Sequence, residues 1–113
     1  MTWTELTSLE EIGQIDVLSR EKPVLIYKHS TRCGISGTVL GRIERTWKDQ
    51  EGEFVSPYYL DLLKYRTISD EIAKHYSVNH ESPQVLLIKN GKCVYSQSHM
   101  SISVPEIFSH LLG

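Results

Sequence analysis

Cys33 stands between Arg32 and Gly34, and Ser36 follows at the spacing where a two-cysteine redox motif carries its second thiol. This C-x-x-S pattern offers one sulfur and one hydroxyl. The stretch from Tyr27 to Ser36 follows the apolar run Val24-Leu25-Ile26 and leads into a long segment of helical periodicity, so Cys33 falls at a strand-to-helix turn. Unpaired N–H groups and the positive end of the helix dipole favour negative charge there, and hence the reactive thiolate over the thiol. Arg32 adds positive charge beside it, and Gly34 is expected to let the backbone close tightly around the sulfur. Ser36 has two readings: an early helix residue, or a hydroxyl that donates a hydrogen bond to the thiolate. His29 reads as a solvated loop histidine, with contact to substrate or to the thiol's titration as the alternative.

The elements that must hold this turn are visible on either side of it. Trp3 to Leu6 suits a short edge strand, and Thr7-Ser8-Leu9-Glu10 has capping-box spacing ahead of a helix whose apolar side carries Leu9, Ile12 and Ile15. Val24 to Tyr27 is a continuous apolar run of the kind found in a central strand covered on both faces. From Ile35 to about Asp49, residues Val39, Leu40, Ile43 and Trp47 share one helical side, Gly37 and Gly41 suit close packing on the sheet, and Gln50-Glu51-Gly52 ends the helix. Phe54 to Leu60 reads as a strand in which Pro57 needs an edge or a position without an amide donor. Ser69-Asp70-Glu71 is taken to open a short helix with Ser69 as cap, and 78–82 is polar loop. Gln84–Lys89 and Lys92–Ser96 flank Asn90-Gly91, the signature of a two-residue type I′ hairpin. Ser103-Val104-Pro105-Glu106 caps a closing helix with Ile107, Phe108, Leu111 and Leu112 on its apolar side. The order strand, helix, strand, helix, strand, helix, hairpin, helix predicts an α/β, thioredoxin-like three-layer sandwich, a mixed central sheet flanked by helices.

Composition narrows the function. At 113 residues the chain suits one domain spanning 1–113, and 40% hydrophobic with 23% charged residues is ordinary for a globular protein. No stretch approaches the roughly 20 apolar residues of a membrane span. The start lacks a basic region followed by an apolar stretch, so a cytoplasmic location is expected. A net charge of −2 with scattered Lys and Arg argues against nucleic acid as partner. Two cysteines sixty positions apart form no disulfide framework, and in a reducing compartment a lone exposed thiol points to catalysis. His75, His80, His99 and His110 have no zinc-ligand spacing, and Trp47 and the tyrosines suit core and half-buried sheet positions rather than a base-stacking platform.

Pro83 is the second chemical element. Locally it could simply end a loop, but the element order puts it where a thioredoxin-like fold has a cis-proline facing the active-site cysteine. The backbone of Ser82 could then hydrogen-bond an extended thiol-containing ligand as an added strand would. Cys93, opposite Ile88 in the hairpin, is five strand positions from Pro83, about 16 Å at 3.3 Å per residue. A disulfide needs Cα atoms within about 7 Å, so Cys93 reads as a packed sheet thiol.

The stretch Tyr27-Lys28-His29-Ser30-Thr31-Arg32-Cys33-Gly34-Ile35-Ser36, with Ser82-Pro83-Gln84, resembles the monothiol bacilliredoxins, and the similarity runs from Trp3-Thr4-Glu5-Leu6 to the closing helix. His-Ser-Thr-x-Cys-x-Ile-Ser carries the likeness, whereas many members have proline at the position of Gly34. The resemblance implies a thiol–disulfide oxidoreductase that removes bacillithiol, the low-molecular-weight thiol replacing glutathione in low-GC Gram-positive bacteria, from oxidised protein cysteines. Cys33 would be the nucleophile and Pro83 the cis-proline. Bacillithiol would be the thiol co-substrate, bacillithiolated proteins the clients, and free bacillithiol or another redox protein the recycling partner, with no metal and a monomeric protein.

Other functions fit less of the pattern. A one-cysteine peroxidase would place proline where Ile26 stands, and a low-molecular-weight phosphatase or arsenate reductase would need arginine where Val39 stands. Cys33-Gly34-Ile35-Ser36 also resembles the Cys-Gly-Phe-Ser site of monothiol glutaredoxins that carry an iron–sulfur cluster between two subunits. The glycine pair expected there after the hairpin is absent. A redox-sensing module with a merely modified thiol is the remaining alternative.

Overall fold

The computed structural model describes residues 1–48 and 54–111, so the expectations for Asp49, Gln50 to Gly52 and Leu112 lie outside the described residues. The chain runs β1 (Thr4–Glu5), α1 (Glu10–Leu18), β2 (Val24–His29), α2 (Gly34–Thr46), β3 (Ser56–Asp61), α3 (Arg66–His75), β4 (Gln84–Lys89), β5 (Lys92–Ser98), a 3-10 turn at His99–Ser101 and α4 (Val104–Ser109). The sheet order is β1-β3-β2-β4-β5. β1 and β2 pair parallel to β3, while β4 runs antiparallel to β2 and β5. This is the thioredoxin-like mixed sheet between helical layers.

β2 is the centre of the sheet, and all six of its residues are buried. Its even members Val24 and Ile26 pack with Leu6, Ile12, Ile15, Leu60, Ile68, Ile72, Leu86 and Ile88, the layer of α1 and α3. Leu25 and Tyr27 point the other way, to Val39, Ile43, Val85, Ile102 and Ile107 of the α2 and α4 layer. A strand with apolar neighbours on both faces needs an unbroken apolar run, which is how Val24 to Tyr27 reads. The strand continues two residues further than that run, through Lys28 and His29, because six-residue β3 and β4 lie on either side of it.

Several elements begin elsewhere than their sequence signals suggest. The capping-box spacing Thr7 to Glu10 is displaced by one: Glu11 Oε1 accepts the N–H of Ser8 at 3.1 Å and of Thr7 at 3.0 Å, together with both hydroxyls. α3 opens at Arg66, so Ser69 is a buried interior residue and not a cap. Ile68 and Ile72, four apart, set this start by burying one face. Gly37 and Gly41 do not pack on the sheet: an added Cβ at Gly37 meets nothing within 4 Å, and at Gly41 only the Arg45 guanidinium. Pro57 lies opposite Leu25 but ahead of the β1 pairing, which begins at Tyr58, so its missing N–H interrupts no ladder.

The hairpin follows its sequence signal. Asn90 and Gly91 both have positive φ, 53° and 74°, as a type I′ turn requires. The turn docks on the end of α1, where Asn90 N–H donates to the Ser19 carbonyl and Gly91 N–H to Ser19 Oγ. Ser103 Oγ accepts the Glu106 N–H to cap α4. No helix among the described residues is long and apolar enough to cross a membrane.

Candidate functional site

The site is built where β2 runs out. Leu62 N–H holds the His29 carbonyl at 3.0 Å, and a turn follows in which Cys33 N–H donates to the Ser30 carbonyl at 3.1 Å. Cys33 is the N-cap of α2, extended at φ −103° and ψ 117°, and its carbonyl accepts the Gly37 N–H. α2 has no side-chain cap and no acid in its first turn, so the positive end of its dipole is left to the half-buried, free thiol of Cys33. Arg32 is exposed on the preceding turn. Gly34 is the first helical residue, and an added Cβ there would meet nothing within 4 Å, so the close backbone approach expected of it is not what the structure shows.

Ser36 is fully buried, and its hydroxyl serves the turn rather than the sulfur. Its Oγ accepts the Ser30 N–H at 3.0 Å and lies 3.0 Å from His29 Nδ1. Of the two readings of Ser36, the hydrogen bond to Cys33 is not the one formed: the hydroxyl ties the start of α2 to the end of β2. His29 is correspondingly no solvated loop residue: it is 7% exposed, with the rings of Tyr59 and Tyr27 at 5.5 and 5.9 Å. Burial pushes its pKa below the usual histidine value, against the opposing influence of Asp61, Ser36 and Glu44. Beneath it, Tyr27 donates its hydroxyl to the Ser36 carbonyl at 2.7 Å. Burial drives the Tyr27 pKa up to about 12, with the Ser36 side chain opposing and the charges of Tyr59 and Cys33 adding to the rise.

The Ser82–Pro83 peptide is cis. β4 pairs with β2 from Lys28 opposite Gln84 to Val24 opposite Ile88, which sets Pro83 beside the His29 end of β2, where the Cys33 turn leaves the sheet. Pro83 is buried and its carbonyl accepts the His99 N–H at 2.9 Å. Ser82 stands outside the strand pairing, and its buried Oγ has no hydrogen-bond partner among the described residues. Cys93 lies at the other end of the sheet, opposite Ile88 near the hairpin turn, and packs into the α1 and α3 layer. Its Sγ lies 3.3 Å from the Tyr95 carbonyl, and burial pushes its thiol pKa up. Cys33 caps a helix of the opposite layer, so the two thiols are divided by the sheet as well as by its length.

One polar residue of this end has no reading in the sequence. Lys28 is fully buried, its ammonium donating to the Ser69 carbonyl at 3.1 Å and lying 3.3 Å from His80 Nδ1. His29, which its sequence context suggests is solvated, is interior as well. The available signal was strand length: a six-residue hairpin strand beside Val24–Tyr27 requires a partner of similar length, drawing both side chains inside. Among the described residues no group of three or more His, Cys, Asp or Glu could hold a metal ion.

Solved structures of other proteins are similar to this fold. A protein with a thioredoxin fold, assigned as an oxidoreductase only provisionally, is 31% identical, with 95% of this chain and 91% of that one covered and a TM-score of 0.80. Thioredoxin Mala s 13 of Malassezia sympodialis is 20% identical over 97% of this chain and 91% of its own, at 0.77. Thioredoxin O2 of Arabidopsis thaliana is 19% identical over 95% and 89%, at 0.68, and like the Malassezia protein speaks for the fold alone. A free cysteine at the start of α2, a neighbouring cis-proline and this sheet define a thioredoxin-fold protein of thiol redox chemistry. The family model of monothiol bacilliredoxin BrxC matches residues 4–107, and the chain belongs to that family.

Proposed function

We propose that this protein removes bacillithiol from S-bacillithiolated protein cysteines, with Cys33 as the nucleophile. The observation that carries the reading is the free Cys33 thiol at the uncapped, acid-free start of α2 with no second thiol beside it. Cys33 thiolate attacks the bacillithiol sulfur of the mixed disulfide. The client S–S bond breaks, the client leaves as a thiolate that takes up a proton, and Cys33 becomes bacillithiolated. A second thiolate, from bacillithiol or a redox protein, then attacks the adduct sulfur, and Cys33 is released as the two-electron oxidation passes to the new disulfide. Ser82, outside the sheet ladder beside cis-Pro83, offers its backbone to an extended client segment, and Arg32 adds positive charge near the exchange. Ser36 orients the turn through Ser30 and His29. A monomeric single domain acting in a reducing cytoplasm fits a lone catalytic thiol.

The test is a client protein carrying one S-bacillithiolated cysteine, followed by intact mass spectrometry. Wild type is expected to release the client thiol with a transient bacillithiol adduct on Cys33. Cys33→Ser should abolish release, and Cys93→Ser should leave single-turnover release nearly intact. Equal loss in both variants would reject the monothiol mechanism. Release from a glutathionylated client at the same rate would show that the small thiol is not discriminated. A coloured dimer purified without oxygen would favour the cluster-carrying reading instead.

A further inference from the structure

Lys28 takes no part in the exchange as described, yet its burial demands an explanation. It sits on β2 between Leu60 of β3 and Gln84 of β4, and its side chain points into the α1 and α3 layer, away from α2. Placing an ammonium where a leucine would pack is costly unless its donors are used. Lys28 Nζ bridges two separate elements: the Ser69 carbonyl inside α3 and His80 Nδ1 in the segment leading to Pro83. Ser69 Oγ reaches the same His80 nitrogen at 3.3 Å, and Gln84, beside Lys28 on the sheet, donates its Nε2–H to the Asn79 carbonyl at 2.9 Å. An ammonium has no lone pair, so His80 must accept from it, which requires a neutral imidazole with its proton on Nε2.

We infer that Lys28 is a positioning residue, a latch whose buried ammonium holds the exposed His80 and through it fixes the segment 79–83, and with it the Ser82–Pro83 backbone to which a client strand adds. The inference rests on the Cys33 exchange reading for the segment's use, but the latch itself is independent of it. Its effect belongs to client binding, because Lys28 lies across the sheet from α2 and from the turn that holds the sulfur.

The latch works only while His80 is neutral and Lys28 is charged. His80 is exposed, but partial desolvation of its ring, then the charges of Lys28 and Arg66, keep its pKa below the usual value, while Asp70 and Glu81 oppose. Burial lowers the Lys28 pKa to about 8, against the raising influence of Asp70. Client affinity therefore peaks between these two titrations. In acid, His80 gains a proton and confronts the ammonium; in base, the ammonium is lost.

The experiment compares wild type with Lys28→Met, His80→Ala and His80→Asn, using a fluorescent peptide bearing one S-bacillithiolated cysteine. Asparagine keeps an acceptor where Nδ1 stands but does not titrate. Losing a bond to a charged donor should raise KM about ten-fold in Lys28→Met and His80→Ala, with kcat nearly unchanged. His80→Asn should restore KM at neutral pH and remove the acid limb of the KM profile. Alkylation of Cys33 by iodoacetamide, measured in the Cys93→Ser background, should be equal in all variants. Amide hydrogen exchange of 79–82 should quicken in Lys28→Met and His80→Ala but not in His80→Asn, a readout that stands even without turnover. Unchanged exchange in Lys28→Met would overturn the latch, as would slowed alkylation with a fall in kcat at constant KM. Absence of Cys33-dependent turnover in wild type would instead sink the exchange reading and leave the exchange data to judge the latch.

Discussion

At Cys33 the backbone angles, φ −103° and ψ 117°, lie close to the extended conformation that a following proline demands. Gly34 is the first residue of α2, where a missing N–H interrupts no helical bond, and space is open around the position of its absent Cβ. The extended backbone at Cys33 and the open space at the Cβ position of residue 34 are thus compatible with the proline that many bacilliredoxins carry here. Gly34→Pro should raise stability by about 0.4–1 kcal/mol, chiefly by restricting the unfolded chain. Denaturant unfolding of the reduced protein measures this, and a loss of stability would show that the N–H of Gly34 is needed. Cys33, Ser36 and Pro83 were legible from type and spacing. The partners of Ser36 were not, because a hydroxyl two residues inside a helix can reach either the sulfur or the end of the preceding strand, and only the packing of His29 between Tyr27 and Tyr59 decides which.

Among the elements, α1 shows how an end signal can slip by one residue. Glu10 and Glu11 are both in its first turn, but Glu11 alone gathers the N–H groups of Thr7 and Ser8. Glu11→Ala should cost about 1 kcal/mol, while Glu10→Ala should cost no more than a few tenths. Thermal unfolding of the two variants distinguishes them, and equal effects would return the cap to the Thr7–Glu10 spacing. Hairpin, central strand and closing helix were readable because their signals are short-ranged: Asn90-Gly91 dictates φ, and Ser103 captures an N–H three residues away. The start of α3 was not, because no side chain caps it and the burial of Ile68 and Ile72 against a distant sheet determines where it begins.

For the whole molecule, Lys28 sets stability against function. With a folded pKa of about 8 against the ordinary 10.5, its buried charge costs on the order of 3 kcal/mol wherever both states are protonated, that is below pH 8. Between about pH 8 and 10.5 the unfolded chain holds a proton that the folded chain has released, so wild-type stability gains with rising pH over this window. Lys28→Met removes the cost without orphaning His80, which keeps Ser69 Oγ. It should be more stable than wild type at pH 7 by about 1–3 kcal/mol, the difference shrinking towards pH 10. Urea unfolding of both proteins at the two pH values checks this, and a less stable variant at pH 7 would mean that the bonds of Lys28 outweigh its desolvation.

By itself the sequence determined the order of elements, the central strand, the hairpin and the placing of a single thiol at the head of a helix, since each depends on residues within a few positions of one another. Tertiary structure alone decided that Lys28 and His29 are interior, that Ser36 answers to His29, and that Cys93 faces the layer opposite the one that holds α2. Those outcomes depend on which strands flank β2 and how far they extend, and such contacts are made between residues dozens of positions apart.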